Sequence, residues 1–202
     1  MNRFLKGAMI LTIAGIIVKV IGAFSKVLIA RILGGEGIGL YMMAYPIYQI
    51  IVSISAAGIP GAISIMIAEK LANHDIRGVN QVFRMSLKVL TLVGIVFSIG
   101  LYASAKWLIQ WQIITDPRAL MPIQLLAPAI VVVTILSCFR GYFQGFQYMV
   151  PTGTSQVFEQ IFRVGSMVGL AYYFIDQGLH FAAGGATFAT FPGVLAGLVV
   201  LV

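Results

Sequence analysis

Long apolar runs constrain the fold of this chain more than any other feature of its sequence. Apolar residues come in stretches of about 20, separated by short polar clusters, and a helix needs roughly that length to cross the ~30 Å core of a bilayer. Only 9% of the residues are charged, with a mean hydropathy of +1.00, whereas a soluble domain holds about 25% charged residues. The ~10-residue alternating segments typical of a membrane β-barrel are absent. The sequence therefore predicts an all-α, polytopic membrane protein.

Six hydrophobic spans can be distinguished along the chain. We place them at residues 7–33, 40–68, 86–105, 120–139, 154–174 and from 181 onward. The glycine-rich segment GGEGIG (34–39) ends the first span. The second span is too long for one crossing, and we expect Pro60, flanked by Gly58 and Gly61, to break it. Residues 1–202 are expected to form a single transmembrane domain, truncated in or after the sixth helix because no polar flank closes that helix.

The cations between the spans set the expected orientation, because an excess of Lys and Arg marks cytoplasmic loops. Seven cations fall on the side of the N-terminus: Arg3, Lys6, Lys70, Arg77, Arg84, Lys88 and Arg140. Three fall on the opposite side: Arg31, Lys106 and Arg118. We therefore expect a cytoplasmic N-terminus. The net charge of +7 then reflects basic loops beside anionic membrane lipids, and no nucleic-acid partner is expected.

Charged residues inside the first and fifth spans form the candidate site. At 3.6 residues per turn, Lys19 and Lys26 share one stripe with small residues such as Gly22. The fifth span carries a polar stripe: Thr152, Gln156, Glu159, Gln160, Arg163 and Ser166. Charges within a membrane usually face a bundle interior or a water-filled cavity, because exposure to lipid costs about 3 kcal/mol or more for each. We therefore predict a substrate cavity lined by six residues: Lys19, Lys26, Gln156, Glu159, Gln160 and Arg163.

Simpler interpretations of these residues remain open. Lys26, near the outer end of its span, could extend its side chain to the membrane surface. Glu159 and Arg163, spaced i,i+4, could pair and serve only helix packing. Tyrosines near one face of the second span could be packing or interfacial residues: Tyr41, Tyr45 and Tyr48, beside Gln49. Glycines spaced i,i+4 predict close helix contacts at three places: Gly141/Gly145, Gly165/Gly169 and Gly193/Gly197.

Catalytic chemistry finds no support in the sequence. His74 and His180 are isolated residues in loops, and the single Cys138 excludes a multi-cysteine metal site. No phosphate-binding glycine loop with a following Lys-Ser/Thr is present. We expect neither an enzyme nor a metal or cofactor. Any transport then has to be driven by an ion gradient or by the unequal distribution of the substrate across the membrane.

Two segments carry a resemblance to a known family. ARILGGEGIGLYMMAYPIYQI (30–50) and FRGYFQGFQYMVPTGTSQVFEQIFRV (139–164) closely resemble the polysaccharide biosynthesis/transport proteins of the stage V sporulation protein B group. That group belongs to the superfamily that also holds MurJ-type lipid II flippases and multidrug and toxin extrusion antiporters. The resemblance implies two six-helix lobes in a V, of which this chain is the N-terminal lobe and the C-terminal lobe is missing. It also implies alternating access and a cationic cavity, with Lys19 at a basic position of the first helix.

The implied function is a flippase in the bacterial cytoplasmic membrane. Its expected substrate is a lipid-linked oligosaccharide or peptidoglycan precursor of the undecaprenyl-diphosphate type, used in cell-wall, spore-cortex or polysaccharide assembly. Membrane lipids and cell-wall synthesis enzymes are the further expected partners. A cation-coupled multidrug antiporter is one alternative, although the basic bias of the spans disfavours it. A membrane scaffold for cell-wall assembly that transports nothing is the other alternative.

Overall fold

The computed structural model describes residues 3–56 and 58–202, and helix accounts for about 90% of the chain. The α-helices are α1 Arg3–Ala56, α2 Ile59–Ala72, α3 Ile76–Gln110, α4 Leu120–Gly145, α5 Val150–Phe174, α6 Leu179–Phe188 and α7 Thr190–Val199. Short 3-10 helices lie at Pro117–Ala119 and Ile175–Gln177. No strand occurs in the described residues, so the all-α prediction is confirmed. The side chain of Arg3, one of the expected cytoplasmic cations, lies outside the described part of the chain.

A glycine divides the 54-residue helix α1 into two segments. A straight helix of this length would extend about 80 Å, but Gly34 has φ 66° and ψ −173° and interrupts the helix. This conformation is open essentially to glycine alone. The segments cover residues 3–33 and 35–56. The break predicted at GGEGIG is confirmed, although the second segment starts at once after Gly34 rather than near residue 40.

The second predicted break is also present. Gly58 adopts the left-handed conformation with φ 75°, and Pro60 lies in the first turn of α2. There the missing proline N–H costs nothing, because the first N–H groups of a helix have no partner within it. The short helix α2 then packs along α4.

Two of the three glycine pairs make the predicted close helix contacts. A Cβ added to Gly141 would lie 2.9 Å from the Pro60 carbonyl oxygen, and one added to Gly145 would lie 2.7 Å from the Ile67 Cβ. The Gly193/Gly197 pair similarly brings α7 against α5. The prediction is wrong for Gly165/Gly169, which are exposed and have no described neighbour within 4 Å of an added Cβ. Glycines spaced by four positions allow another helix to pack closely, but they do not show that such a helix is present.

Four parts of the chain contain helix that is long and apolar enough to cross a membrane, within residues 5–72, 76–110, 117–145 and 179–199. The protein is therefore a multi-pass membrane protein. The more polar α5 packs against α1 and α7, and its other neighbours include α6. The largest buried cluster lies where these helices meet α4, with Ile29, Leu40, Leu126 and Met167 among its members. This packing fixes the polar stripe of α5 between α1 and α7.

An exposed ion network joins the bend of α1 to the start of α4. The two Nη atoms of Arg118 donate to Glu36 at 2.7 Å and to Asp116 at 2.8 Å. Hydrogen bonds from Arg118 hold the pKa of Asp116 below its usual range. The network links the two elements at the protein surface, where ion pairs contribute about 0–1 kcal/mol.

Candidate functional site

Four of the six predicted site residues line one cavity between α1 and α5. We call it the lysine cavity; it has a volume of about 390 Å³, and its lining includes Lys19, Lys26, Tyr41, Tyr45, Gln160 and Arg163. Lys19 and Lys26 are exposed, whereas Gln160 is buried. The three cations face the same space, and no acidic residue occurs among the described residues of the lining. The cavity is therefore a basic one.

Small residues of α1 make room for this cavity. Gly22 lies one turn from both lysines, and a Cβ added there would lie 3.2 Å from the Gln160 Nε2. The buried Ser25 turns its hydroxyl to the Gly22 carbonyl oxygen, 2.7 Å away. Because these side chains are short, α5 can approach α1 while Lys19 and Lys26 reach into the opening.

Glu159 forms ion pairs with two arginines. Its Oε1 accepts from the Arg163 Nη2, and its Oε2 accepts from the Arg140 Nη2 at 2.8 Å. Arg140 also donates through Nε to the Ser155 hydroxyl at 3.1 Å. The side chains of this Arg140–Glu159–Arg163 triad are only 15–19% exposed. The predicted Glu159–Arg163 pair is confirmed, and with Arg140 the triad has a net charge of +1.

Arg140 is the site residue that sequence reasoning missed. We expected it on the cytoplasmic side, in a loop after a span ending at residue 139. The loop assignment is wrong because α4 continues to Gly145, and the cytoplasmic side stays a prediction. The hydrophobic run ends at the charged Arg140, whereas the helix continues beyond it, and Arg140 forms an ion pair with Glu159 of α5. The segment 139–164 that carries the family resemblance does contain the whole cluster, including Ser155. Its polar spacing was the signal that could have found Arg140.

A second cavity of about 390 Å³ adjoins the triad. This glutamate cavity is lined by residues that include Tyr48, Gln49, Ser137, Arg140, Glu159 and Arg163. Arg163 lines both cavities and therefore stands between them. Gln156, half-buried on α5, is not among the described residues that line either cavity. Five of the six predicted residues thus divide between two spaces, and the structure does not bring all six together.

Tyrosines of the second α1 segment run alongside both cavities. Tyr41 and Tyr45 stack with ring centroids 5.3 Å apart, and Tyr45 and Tyr48 lie 5.9 Å apart. The Arg163 Nη1 donates to the Tyr45 hydroxyl at 3.5 Å, a long contact. The tyrosines therefore pack on one another, as one interpretation held, and also form part of the cavity walls.

Helix α7 supports the triad from behind. A Cβ added to Gly193 would lie 2.6 Å from the Arg163 Cβ, and one added to Gly197 would lie 3.0 Å from the Glu159 Cβ. With glycine at both positions, the α7 backbone packs directly against the part of α5 that carries the two charges. No group of three or more His, Cys, Asp or Glu side chains suited to a metal ion occurs in the described residues.

These features define a class: an all-α, multi-pass membrane protein with a basic cavity between its helices. Solved structures with this fold include a MATE transporter in complex with MaD3S, with a TM-score of 0.78 and 17% identity over 100% of this chain and 45% of that one. A MOP superfamily transporter from Pyrococcus furiosus has a TM-score of 0.77 at 16% identity, covering 99% of this chain and 44% of that one. The fold is thus that of nearly half of such a transporter chain.

The chain belongs to the polysaccharide biosynthesis protein family, whose model matches residues 4–202. It is 36% identical to Stage V sporulation protein B of Bacillus subtilis (strain 168), over 99% of this chain and 38% of that protein. It is 29% identical to the lipid II flippase MurJ of the same organism, over 99% of this chain and 39% of that protein. The expected family is confirmed, and the chain spans about two fifths of the length of these relatives.

Proposed function

We propose that this chain is the N-terminal lobe of a transporter that moves a lipid-linked saccharide diphosphate across the bacterial cytoplasmic membrane. The observation that carries the proposal is the convergence of Lys19, Lys26 and Arg163 on one cavity without an acidic residue in its described lining. The similarity to a lipid II flippase and a sporulation protein supports the substrate class. Cell-wall, spore-cortex or polysaccharide assembly is the process that such a substrate serves.

The proposed lobe has six membrane crossings and a cytoplasmic N-terminus. The crossings are the two segments of α1, then α3, α4 and α5, and finally α6 with α7 as one unit over residues 179–199. Helix α5 has 25 residues, so it is about 37 Å long and can cross a ~30 Å core. Its polar stripe explains why it is not among the four parts of the chain named above as containing helix apolar enough to cross a membrane. The orientation rests on the excess of cations on the N-terminal side.

The cavity cations would offset the cost of removing a diphosphate from water. Two unit charges 4 Å apart attract by about 1 kcal/mol in water and about 4 kcal/mol near a protein surface. The ammonium groups of Lys19 and Lys26 act as point-charge partners for phosphate. The lipid tail stays in the bilayer while the head group passes along the cavity. Rocking against a second lobe would then open the cavity to each side in turn.

The triad argues against an antiporter for organic cations. Such a carrier needs a carboxylate that is free to bind its substrate. Both oxygens of Glu159 already accept hydrogen bonds from arginines. A cation entering the glutamate cavity would have to displace two guanidinium groups, so anion transport is the function that we favour.

The test is a head-group accessibility assay in liposomes that contain the complete gene product and a lipid-linked saccharide diphosphate. Lys19→Ala should lower the flipping rate by at least about tenfold, since one cavity charge is lost. Lys19→Arg should retain most of the rate. Lys106→Ala, which removes an exposed lysine near the end of α3, is the matched control and should leave the rate unchanged.

Three results would contradict the proposal. A normal flipping rate of the Lys19→Ala variant would show that Lys19 does not contribute to transport through the cavity. Sodium- or proton-dependent ethidium export would favour the antiporter. The absence of any phenotype in a strain that carries replacements of both Lys19 and Glu159 and lacks related genes would favour the scaffold.

A further inference from the structure

The N-terminal end of α3 extends beyond the hydrocarbon core. The helix has 35 residues and is therefore about 52 Å long, against a core of ~30 Å. Its first 13 residues contain Arg77, Arg84 and Lys88, whereas the next 17 residues, up to Lys106, carry no charge. The uncharged part has the composition of a membrane crossing. The three cations must then lie at the level of the lipid head groups or just beyond it.

These cations share one exposed face of α3. Residues 77, 81, 84 and 88 are spaced by four, three and four positions, which places them on one side of a helix. They line a cavity of about 420 Å³ together with Asn80 and Met85. We call this surface the α3 basic face, defined by its six residues: Arg77, Asn80, Gln81, Arg84, Met85 and Lys88.

The α3 basic face lacks an internal counter-ion. In the described part of the chain, Arg77, Arg84 and Lys88 form no ion pair. The neighbouring acid, Asp75, is already engaged: it caps α3 by accepting from the Gly78 N–H at 2.8 Å and lies 3.6 Å from the Lys70 ammonium group. The positive charge of this face is therefore open to an external anion.

An aromatic pocket of about 340 Å³ adjoins this face. Asn80 and Arg84 line both spaces, and the remaining walls are apolar or aromatic: Phe83, Phe139, Tyr142, Phe143 and Leu201. The Phe83 ring lies 4.7 Å from that of Tyr142 and 5.2 Å from that of Phe139, between centroids. The face that carries the three unpaired cations and the apolar pocket are therefore adjacent, with Arg84 lining both.

We propose that the α3 basic face and the aromatic pocket together bind one anionic phospholipid. Arg84 and Lys88, one turn apart, hold the phosphate, and Arg77 faces the outer part of the head group. The start of an acyl chain packs against the aromatic pocket. A soluble phosphate would use the cations alone, whereas the membrane level of the site and the adjoining pocket fit a lipid. The site shares no residue with the lysine cavity and does not depend on the proposed transport function.

The test compares two double variants with the same change in charge. Arg84→Gln/Lys88→Gln removes two cations of the site, and the control Arg31→Gln/Lys106→Gln removes two exposed cations elsewhere. Each protein is purified from nanodiscs of phosphatidylcholine and phosphatidylglycerol, and the bound phosphatidylglycerol is counted by native mass spectrometry. The site variant should retain about 25-fold less of this lipid, since each of the two cations near a membrane contributes about fivefold. The control should retain as much as the wild type.

Several outcomes would overturn the proposal. Equal losses in both double variants would mean that only the total charge attracts lipid. Release of the bound lipid by soluble glycerol 3-phosphate at low concentration would mean that the site binds a phosphate and not a lipid. Protection of the buried Cys138 thiol, which lies 3.9 Å from the Phe83 carbonyl oxygen, verifies that each variant is folded. If the double variant fails to fold, Lys88→Gln alone should still lose about fivefold, and unchanged retention would refute the site.

Discussion

Replacement of Glu159 by Gln tests whether the triad is held together by charge. Glutamine has nearly the same shape, so helix packing around α5 is preserved. The change removes the negative charge that both guanidinium groups face, Arg140 at 2.8 Å and Arg163 on the other oxygen. The net charge of the triad rises from +1 to +2. Two cations would then share a site that is largely shielded from water.

The structure indicates the size of the effect. Removing one partner of a buried ion pair costs about 3–5 kcal/mol, whereas an exposed pair contributes about 0–1 kcal/mol. Since the triad side chains are 15–19% exposed, we take the lower end of the buried range, about 3 kcal/mol. For a chain of this size, each kcal/mol lowers the melting temperature by roughly 2–4 °C. Glu159→Gln should therefore melt about 6–12 °C below the wild type.

The protein carries its own probe of unfolding. Cys138 is the single cysteine and is fully buried, so a thiol-reactive fluorophore reports the temperature at which the helices separate. Glu36→Gln is the matched control, because Glu36 also pairs with an arginine at 2.7 Å but is 62% exposed. Its melting temperature should stay within about 4 °C of the wild type.

A double variant separates charge from hydrogen bonding. Arg140→Gln/Glu159→Gln returns the triad to a net charge of +1, so it should be less destabilised than the sum of its two single variants. The reasoning is refuted if Glu159→Gln melts as the Glu36→Gln control does. It is also refuted if the double variant loses the full sum, because the charges would then act independently.

Two glycine substitutions test the helix geometry in the same thiol assay. Gly34→Ala forces a side chain into the bend of α1 and should lower the free energy of unfolding by about 1–3 kcal/mol. Gly35→Ala, with open space around its Cβ, should be neutral or slightly stabilising. Equal changes in stability for the two variants would contradict the assigned bend. Gly145→Ala places a Cβ 2.7 Å from the Ile67 Cβ and should destabilise by about 1–3 kcal/mol. Gly165→Ala, which meets open space, should be tolerated, and a loss as large as that of Gly145→Ala would mean that α5 has an unseen neighbour.

The helices and most of the lysine cavity could be predicted from the sequence. Runs of apolar residues specify membrane helices because hydrocarbon leaves the backbone no other partners. The bend at Gly34 follows from glycine-rich sequence, and the helical period places Lys19 and Lys26 on one face. Arg140 escaped prediction because a hydropathy profile ends a span at its first charge, while the helix itself continues. Pairing with Glu159 across to α5 is a tertiary contact that local sequence does not encode.

The division of the α5 stripe into two cavities has a simple geometric cause. Consecutive residues of an α-helix point about 100° apart, so Glu159 and Gln160 cannot face the same space. Gln160 turns towards the lysines of α1, and Glu159 turns towards Arg140 on α4. The stripe predicted from polarity alone places Glu159 and Gln160 on the same side of α5. The position of the neighbouring helices is needed to separate them.

The arrangement around Arg163 determines how an anion would meet the lysine cavity. Glu159 engages one end of the guanidinium group, Tyr45 accepts from the other at 3.5 Å, and the buried Nε has no partner among the described residues. In the proposed transport cycle, a phosphate could replace the long tyrosine contact while the ion pair with Glu159 remains intact. Because Glu159 offsets much of the Arg163 charge, the exposed ammonium groups of Lys19 and Lys26 would supply most of the attraction. Arg163 would then act mainly through directed hydrogen bonds, which is why the loss of a lysine charge, as in Lys19→Ala, should lower the transport rate.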